Sequence, residues 1–254
     1  MSALTAGIIV FLCLFSGALA GLYLTKLLPP DHLSAPSKEV VKLATAMIAT
    51  MAALVVGLLV ASSKSSLDTK ESELTQMTAR VILLDRTLAQ YGSETDDARK
   101  LLRQTAMDRL HQIWPNEDAG AVAVGEVGNS DGIESLQNML HALAPANDKQ
   151  RYLKAKALQI SDQISEARWM IFEQVGSGIH WPFLSIVIFW LAFVFASFGL
   201  SAPRNATVVV ALFASALSVA GAVFLIVEMD QPYGGLVQIS SAPLRQAIAV
   251  LGKP

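Results

Sequence analysis

Charge is absent from four long stretches of this chain: Ser2 to Thr25, Leu43 to Ser63, Gln174 to Pro203 and Asn205 to Val227. A helix needs roughly 20 mostly apolar residues to cross the hydrocarbon core of a bilayer, where every backbone N–H and C=O must be paired within the protein. Each stretch reaches that length without an ionised side chain to desolvate. Between the second and third lies a polar block, Lys64 to Glu173, with 13 of the 19 Lys and Arg and 17 of the 21 Asp and Glu, a net charge of −4. The pattern predicts an all-α integral membrane protein of four transmembrane helices, with a water-exposed helical domain inserted between helices two and three.

The boundaries follow from composition and breakers. Residues 1–63 form a transmembrane hairpin with spans at 3–28 and 42–63, separated by Pro29-Pro30, which cannot continue a helix. Residues 64–175 form the helical domain. Residues 176–228 form a second hairpin with spans at 181–201 and 205–228, and residues 229–254 make a turn and a short helix. In that helix Leu244, Ala247, Ile248 and Leu251 share one face, which suits the membrane surface. Ala18-Leu19-Ala20 resembles an export cleavage site, but no Lys or Arg precedes the run and apolar character continues to Leu28, so a retained span is expected. Four spans put both termini and the polar block on one side of the membrane. Lys26, Lys38, Lys42 and Arg204 on one face against Lys64, Lys70, Arg168, Arg245 and Lys253 on the other do not select which side that is.

Within the polar block, Leu67, Leu74, Met77, Val81, Leu84, Leu88 and Tyr91 follow a spacing of three and four missing only at Lys70, and Leu153, Ala157, Ile160, Ile164, Ala167 and Ile171 follow it unbroken. Two seamed helices of similar length pair most economically as an antiparallel stalk. Gly92 ends the first, and Ser93 with Asp96 resembles a capping box for the next. Asp131 with Glu134 has the same spacing, and Asn147 or Asp148 is placed to cap the return helix. Asp85 and Arg86 lie beside the seam, where a salt link to the partner helix of the stalk is expected. Asn116 to Ser130 reads as an outer loop, and Gly176-Ser177-Gly178 as a joint before Trp181-Pro182. Span three is rich in Phe and span four in Ala, Ser and Val, which suggests more lipid contact for three and more protein contact for four.

Enzyme chemistry finds no support. His32, His111, His141 and His180 are scattered, so a zinc site is not expected, and the single Cys13 lies inside a span. Neither a phosphate-binding loop, a dinucleotide fingerprint nor a nucleophile elbow occurs. No catalytic residue, metal or cofactor is predicted. With a net charge of −2 and no basic run, nucleic acid is not an expected partner. The expected partners are the lipid bilayer, further copies of the chain and small ions.

Small residues in the spans carry the strongest positive signal. Gly17 and Gly21 are four apart in span one; Ala49, Ala53, Gly57 and Ala61 recur every four residues in span two, as do Ala214, Ser218 and Ala222 in span four. Such rows let helix backbones approach, either within one subunit or between subunits. Another face of span two, Thr45, Ile48, Ala52, Val56 and Leu59, is the candidate pore lining, able to gate by dewetting. Glu228 and Asp230 are the acids close to a span end. They are candidates for a ring of carboxylates around an oligomer axis, or for solvated headgroup residues with Asp230 capping the turn before Pro232.

Three segments carry a resemblance: Lys42-Leu-Ala-Thr-Ala-Met through Gly57-Leu-Leu-Val-Ala-Ser-Ser, then Leu83-Leu84-Asp85-Arg86-Thr-Leu-Ala-Gln-Tyr91, then Met229-Asp230-Gln-Pro232-Tyr-Gly234-Gly-Leu-Val-Gln-Ile-Ser240. They resemble the bacterial bestrophin-like family, itself remotely similar to bestrophin ion channels. Tyr233 stands where Phe is usual. The resemblance implies an oligomeric channel with span two as pore helix, located in the inner (plasma) membrane, with both termini and residues 64–175 cytoplasmic. True bestrophins carry an acidic calcium-binding cluster after their last span; Glu228 and Asp230 stand in a similar place but are far fewer. The competing expectation is a non-conducting scaffold or signalling subunit whose helical domain docks a partner.

Overall fold

The structure is a computed structural model and describes residues 2–27, 29, 35–114, 131–174, 181–232 and 235–253. The outer loop, the glycine joint before Trp181 and the Tyr233-Gly234 pair fall outside these residues, as do the side chains of Ser37, Asp131, Arg168, Ile171 and Trp181. All regular elements among them are helical: α1 Ala3–Leu24, α2 Ala35–Tyr91, α3 Asp96–Ile113, α4 Asp131–Ala142, α5 Asp148–Gln174, α6 Trp181–Ser201, α7 Ala206–Met229 and α8 Ala242–Val250, with a short 3-10 turn at Ser93–Thr95. Four of them are long and apolar enough to cross a membrane. The second span and the first seamed helix are one continuous 57-residue helix, α2. Neither Pro nor Gly interrupts Ser62 to Ser66, and serines flanked by helix formers do not stop a helix that packs elsewhere. The chain divides into two compact units, Met1–Leu67 with Gly178–Gln238, and Asp68–Ser177 with Ile239–Pro254.

In the first unit α1 packs against both α6 and α7. Glycine from each partner sets the α1–α6 approach: a Cβ on Gly21 would fall onto the carbonyl oxygen of Ala196, and one on Gly199 onto that of Ala18. With no Cβ on either helix the backbones touch directly. Gly17 lies along the same line, 3.4 Å from the Ala192 carbonyl by the same construction. Contacts climb both chains together, so α1 and α6 run parallel. Against α7 the order reverses, Gly7 meeting Ala220 and Phe224 while Phe11 and Phe15 meet Phe213 edge to face at 5.2 and 5.5 Å. Leu14, Ala18, Leu184, Val187, Ala216 and Val223 fill the resulting core.

Polar groups at the helix ends complete the unit. Ser2 caps α1 by accepting from Thr5 N at 3.2 Å, and Asn205 caps α7 by accepting from Val208 N at 2.9 Å. Arg204 donates from Nε to the Leu22 carbonyl at 3.1 Å and from Nη2 to the Thr25 hydroxyl, placing a cation at the C-terminus of α1. The expected division of labour between spans three and four is reversed within the subunit: 39% of the apolar window of α6 is buried against 28% for α7. Phe183, Phe189, Phe193 and Phe198 do point outward, yet Gly199, Leu184, Val187, Leu191 and Phe195 give α6 a second, closely packed face.

The second unit has its own core. Val81, Leu84 and Leu88 of α2 join Ala98 and Leu102 of α3, Leu136 and Leu140 of α4, and Ala157, Ile160 and Ile164 of α5. Gln150, near the start of α5, donates to the Tyr91 carbonyl at the end of α2 at 3.1 Å, so these two helices meet end to start. They are two members of a small bundle rather than an isolated pair, because α3, α4 and α8 cover the seams. Gly92 has φ of 138°, a left-handed conformation open to glycine, and ends α2. The Thr95 hydroxyl then bonds back to the carbonyls of Leu88 at 2.6 Å and Gly92 at 2.8 Å. It thereby closes α2, and α3 starts at Asp96 without the capping box expected at Ser93. Asn147 does cap α5, accepting from Gln150 N at 2.8 Å. The face of α8 expected on the membrane surface is instead covered by protein: Leu244, Ala247 and Leu251 are buried and α8 packs on α3.

Two stability outcomes follow. Gly21→Val forces a branched side chain into backbone atoms and should lower stability by about 3 kcal/mol, the upper end for overpacking, whereas Gly57→Ala, with open space around it, should change it little. Thermal unfolding of the detergent-solubilised protein compares them. The Tyr91 hydroxyl is buried without a hydrogen-bond partner, so Tyr91→Phe should raise stability by about 1 kcal/mol in the same measurement.

Candidate functional site

The membrane half of α2 has two unlike faces. Thr45 and Ala52 are buried, Ala52 completely, and Ile48, Val56 and Leu59 are partly buried. Ala52 belongs to the core shared with α1, α6 and α7, and Val56 and Leu59 pack against that core. This is the set expected to line a pore, and the structure turns it toward its own subunit. The physical reason is size. Thr45 and Ala52, two turns apart on this face, are small side chains that let α2 settle onto its neighbours, whereas the face opposite carries Leu43, Met47, Leu54 and Leu58.

The opposite face is bare. Leu43, Met47, Leu54 and Leu58 are between 64% and 75% exposed, and the apolar window of α2 is 11% buried against 28% to 39% for the other three spans. Of the small-residue row, Ala49 is partly buried while Ala53, Gly57 and Ala61 are exposed, and nothing lies within 4 Å of a Cβ placed on Gly57. Ala214 and Ser218 of α7 are exposed as well, and Ala222 is half-buried. The three rows therefore divide: Gly17 and Gly21 pack within the subunit, and most of the other two faces outward. Gly7 and Gly199 join the intrasubunit set. Gly199 has no small residue four positions away that would have made a motif of it, since Phe195 and Pro203 stand there. Two polar residues of these spans serve their own helices, Thr50 donating to the Ala46 carbonyl at 2.8 Å and Ser218 to that of Ala214 at 2.9 Å, whereas the Thr45 hydroxyl is buried without a hydrogen-bond partner.

Glu228 has a different setting from the one expected of a ring acid. It is buried at the end of α7, and its Oε1 accepts from the backbone N–H of Leu236 and, at 3.3 Å, from that of Val237. Gly235 has φ of 95°, and any Cβ there would fall onto the same carboxylate. The turn thus wraps its amides around Glu228, with glycine admitting the closest approach. Asp230 is half-buried and closes α7, its N–H bonded to the Glu228 carbonyl. Amide hydrogens already bond Oε1, and among the described residues no three His, Cys, Asp or Glu side chains gather to hold a metal. These residues do not fit a calcium cluster.

Removing the acceptor at Glu228 takes a partner from two part-buried N–H bonds. Glu228→Ala should cost about 1 kcal/mol, Glu228→Gln less because an amide oxygen still accepts, and Asp230→Asn little, all read by thermal unfolding.

No curated protein and no solved structure matches the chain. A family model described as the bestrophin-like domain does match, over residues 12–244. That range runs from the middle of α1 to the first turn of α8 and takes in α2 and the Glu228 turn whole. The chain belongs to the bestrophin-like family of membrane proteins.

Proposed function

We propose that the chain forms a symmetric homo-oligomer in which the outer face of α2 from each subunit meets a shared axis and small ions pass along it. The observation that carries this is the exposure of α2: among the four spans it is the one whose own subunit covers least. Family membership supports the channel class. Leu43, Met47, Leu54 and Leu58 would supply the apolar constriction, in place of the Thr45, Ile48, Ala52, Val56 and Leu59 face that packs inward. Ala53, Gly57 and Ala61 would let neighbouring backbones approach. In this arrangement the protein is a multi-pass inner-membrane protein without enzymatic activity, and residues 64–175 lie in the cytoplasm. A scaffold would be favoured by an exposed apolar seam on the helical unit; Leu74, Val81, Leu84 and Leu88 are buried instead.

With a single native cysteine to replace, the test introduces new ones at chosen positions. In a Cys13→Ser background, Leu54→Cys and Ala52→Cys variants are purified, shown to assemble, and reconstituted in liposomes for ion flux. A charged thiol reagent should block flux through the Leu54→Cys protein and leave the Ala52→Cys protein unmodified. Absence of flux across several ions and pH values from assembled protein, or a monomeric state in the membrane, would overturn the proposal.

A further inference from the structure

α8 is held at both ends by α3. At its head, Trp114, which caps α3, donates from a buried Nε1 to the Ile239 carbonyl at 3.0 Å. At its tail, Arg99 in the first turn of α3 donates from Nη2 to the Lys253 carbonyl at 2.8 Å. The head of α8 thus lies at the end of α3 and its tail at the start, so the segment runs antiparallel along the helix. The tail anchor is itself paired. Arg99 meets the buried Asp85 of α2 through two bonds, Nε to Oδ1 at 2.9 Å and Nη2 to Oδ2 at 3.2 Å, and the Gly252 N–H lies 3.4 Å from both Asp85 oxygens. This hydrogen bond raises the Arg99 pKa further above its ordinary value and fixes the charge. A salt link at Asp85 is therefore present, but it runs to Arg99 on α3 rather than to the expected stalk partner, α5.

Nine residues are too few to hold a helix alone, since isolated helices shorter than about 12–15 residues are marginal in water. The apolar contribution is modest: Leu244, Ala247 and Leu251 are buried, Ile239 is buried just before the helix, and Ile248 packs against the core. To these contacts are added the ion pair and the backbone groups it reads. Gly252, at φ of 77°, supplies the left-handed turn that aims its N–H at Asp85 and the next carbonyl at Arg99.

We propose that residues 239–253 form a strap across α3, clasped at the tail by the Asp85–Arg99 pair, and that opening this clasp frees α8 while the rest of the bundle stays folded. A buried pair that loses one member leaves an uncompensated charge, and here the backbone it grips is released with it. To the core of α2, α3, α4 and α5 the strap adds Leu251, with Ile248 packed against it; the other buried members come from those four helices themselves, which is why release is local.

Hydrogen exchange read by mass spectrometry on the full-length, detergent-solubilised protein tests this with two variants. Asp85→Asn removes the charge, and Gly252→Val strains the turn while leaving Asp85 and Arg99 paired. Both should speed exchange in residues 242–253 at least about tenfold, a shift equivalent to roughly 1.4 kcal/mol, with α3 to α5 unchanged. Trypsin should then cut after Arg245 more readily. Unchanged protection of residues 242–253 in both variants would overturn the clasp, and so would loss of protection throughout α2 to α5 in the Gly252→Val protein.

Discussion

The contact between α1 and α6 governs the membrane unit. Glycines 21 and 199 bring two backbones together, and a helix with its flanks taken by α6 on one side and α7 on another has little room left. In lipid there is no solvent penalty to drive apolar helices together, so closeness of packing decides which pairs form. The glycines give α1 and α6 the closest approach available. α2, which offers Thr45 and Ala52 but no glycine on its inward face, takes the remaining contact and keeps most of its circumference free.

Length and hydropathy made the four spans legible, because desolvation of charge in hydrocarbon is a coarse and severe filter. The seams of the helical unit were legible for a similar reason, since Leu74, Val81, Leu84 and Leu88 repeat at the spacing that buries one face. Choosing between faces of α2 was harder. Thr45, Ile48, Ala52, Val56 and Leu59 make a face that could meet either protein or pore, and an apolar helix in an apolar solvent carries no polar side to orient it. The seam pattern also reported where α2 changes surroundings near Leu67 without reporting that the helix continues through.

Glu228 illustrates a further limit. Its position at a span end was legible; its partners were not. They are main-chain amides of Leu236 and Val237, and backbone donors leave no signature in side-chain sequence beyond the glycine that lets them approach. Arg99 escaped notice likewise, since its pairing with Asp85 depends on the tight 3-10 turn after Gly92 folding α3 back beside α2. In both cases a buried carboxyl group, Glu228 or Asp85, accepts hydrogen bonds from the protein, which is how burial of such a group is tolerated.

The parallel pairing of α1 with α6 has a consequence for the order of synthesis. The glycine face of α1 emerges from the ribosome first, but its partner follows only after residues 25–180 have been made. At translation speeds of roughly 5–20 residues per second, that interval is on the order of ten to thirty seconds. Throughout it, Gly17 and Gly21 face lipid, an insertase or another nascent helix. The first span is therefore a provisional lodger in the bilayer, and the step that commits the subunit to its final arrangement is the arrival of the third.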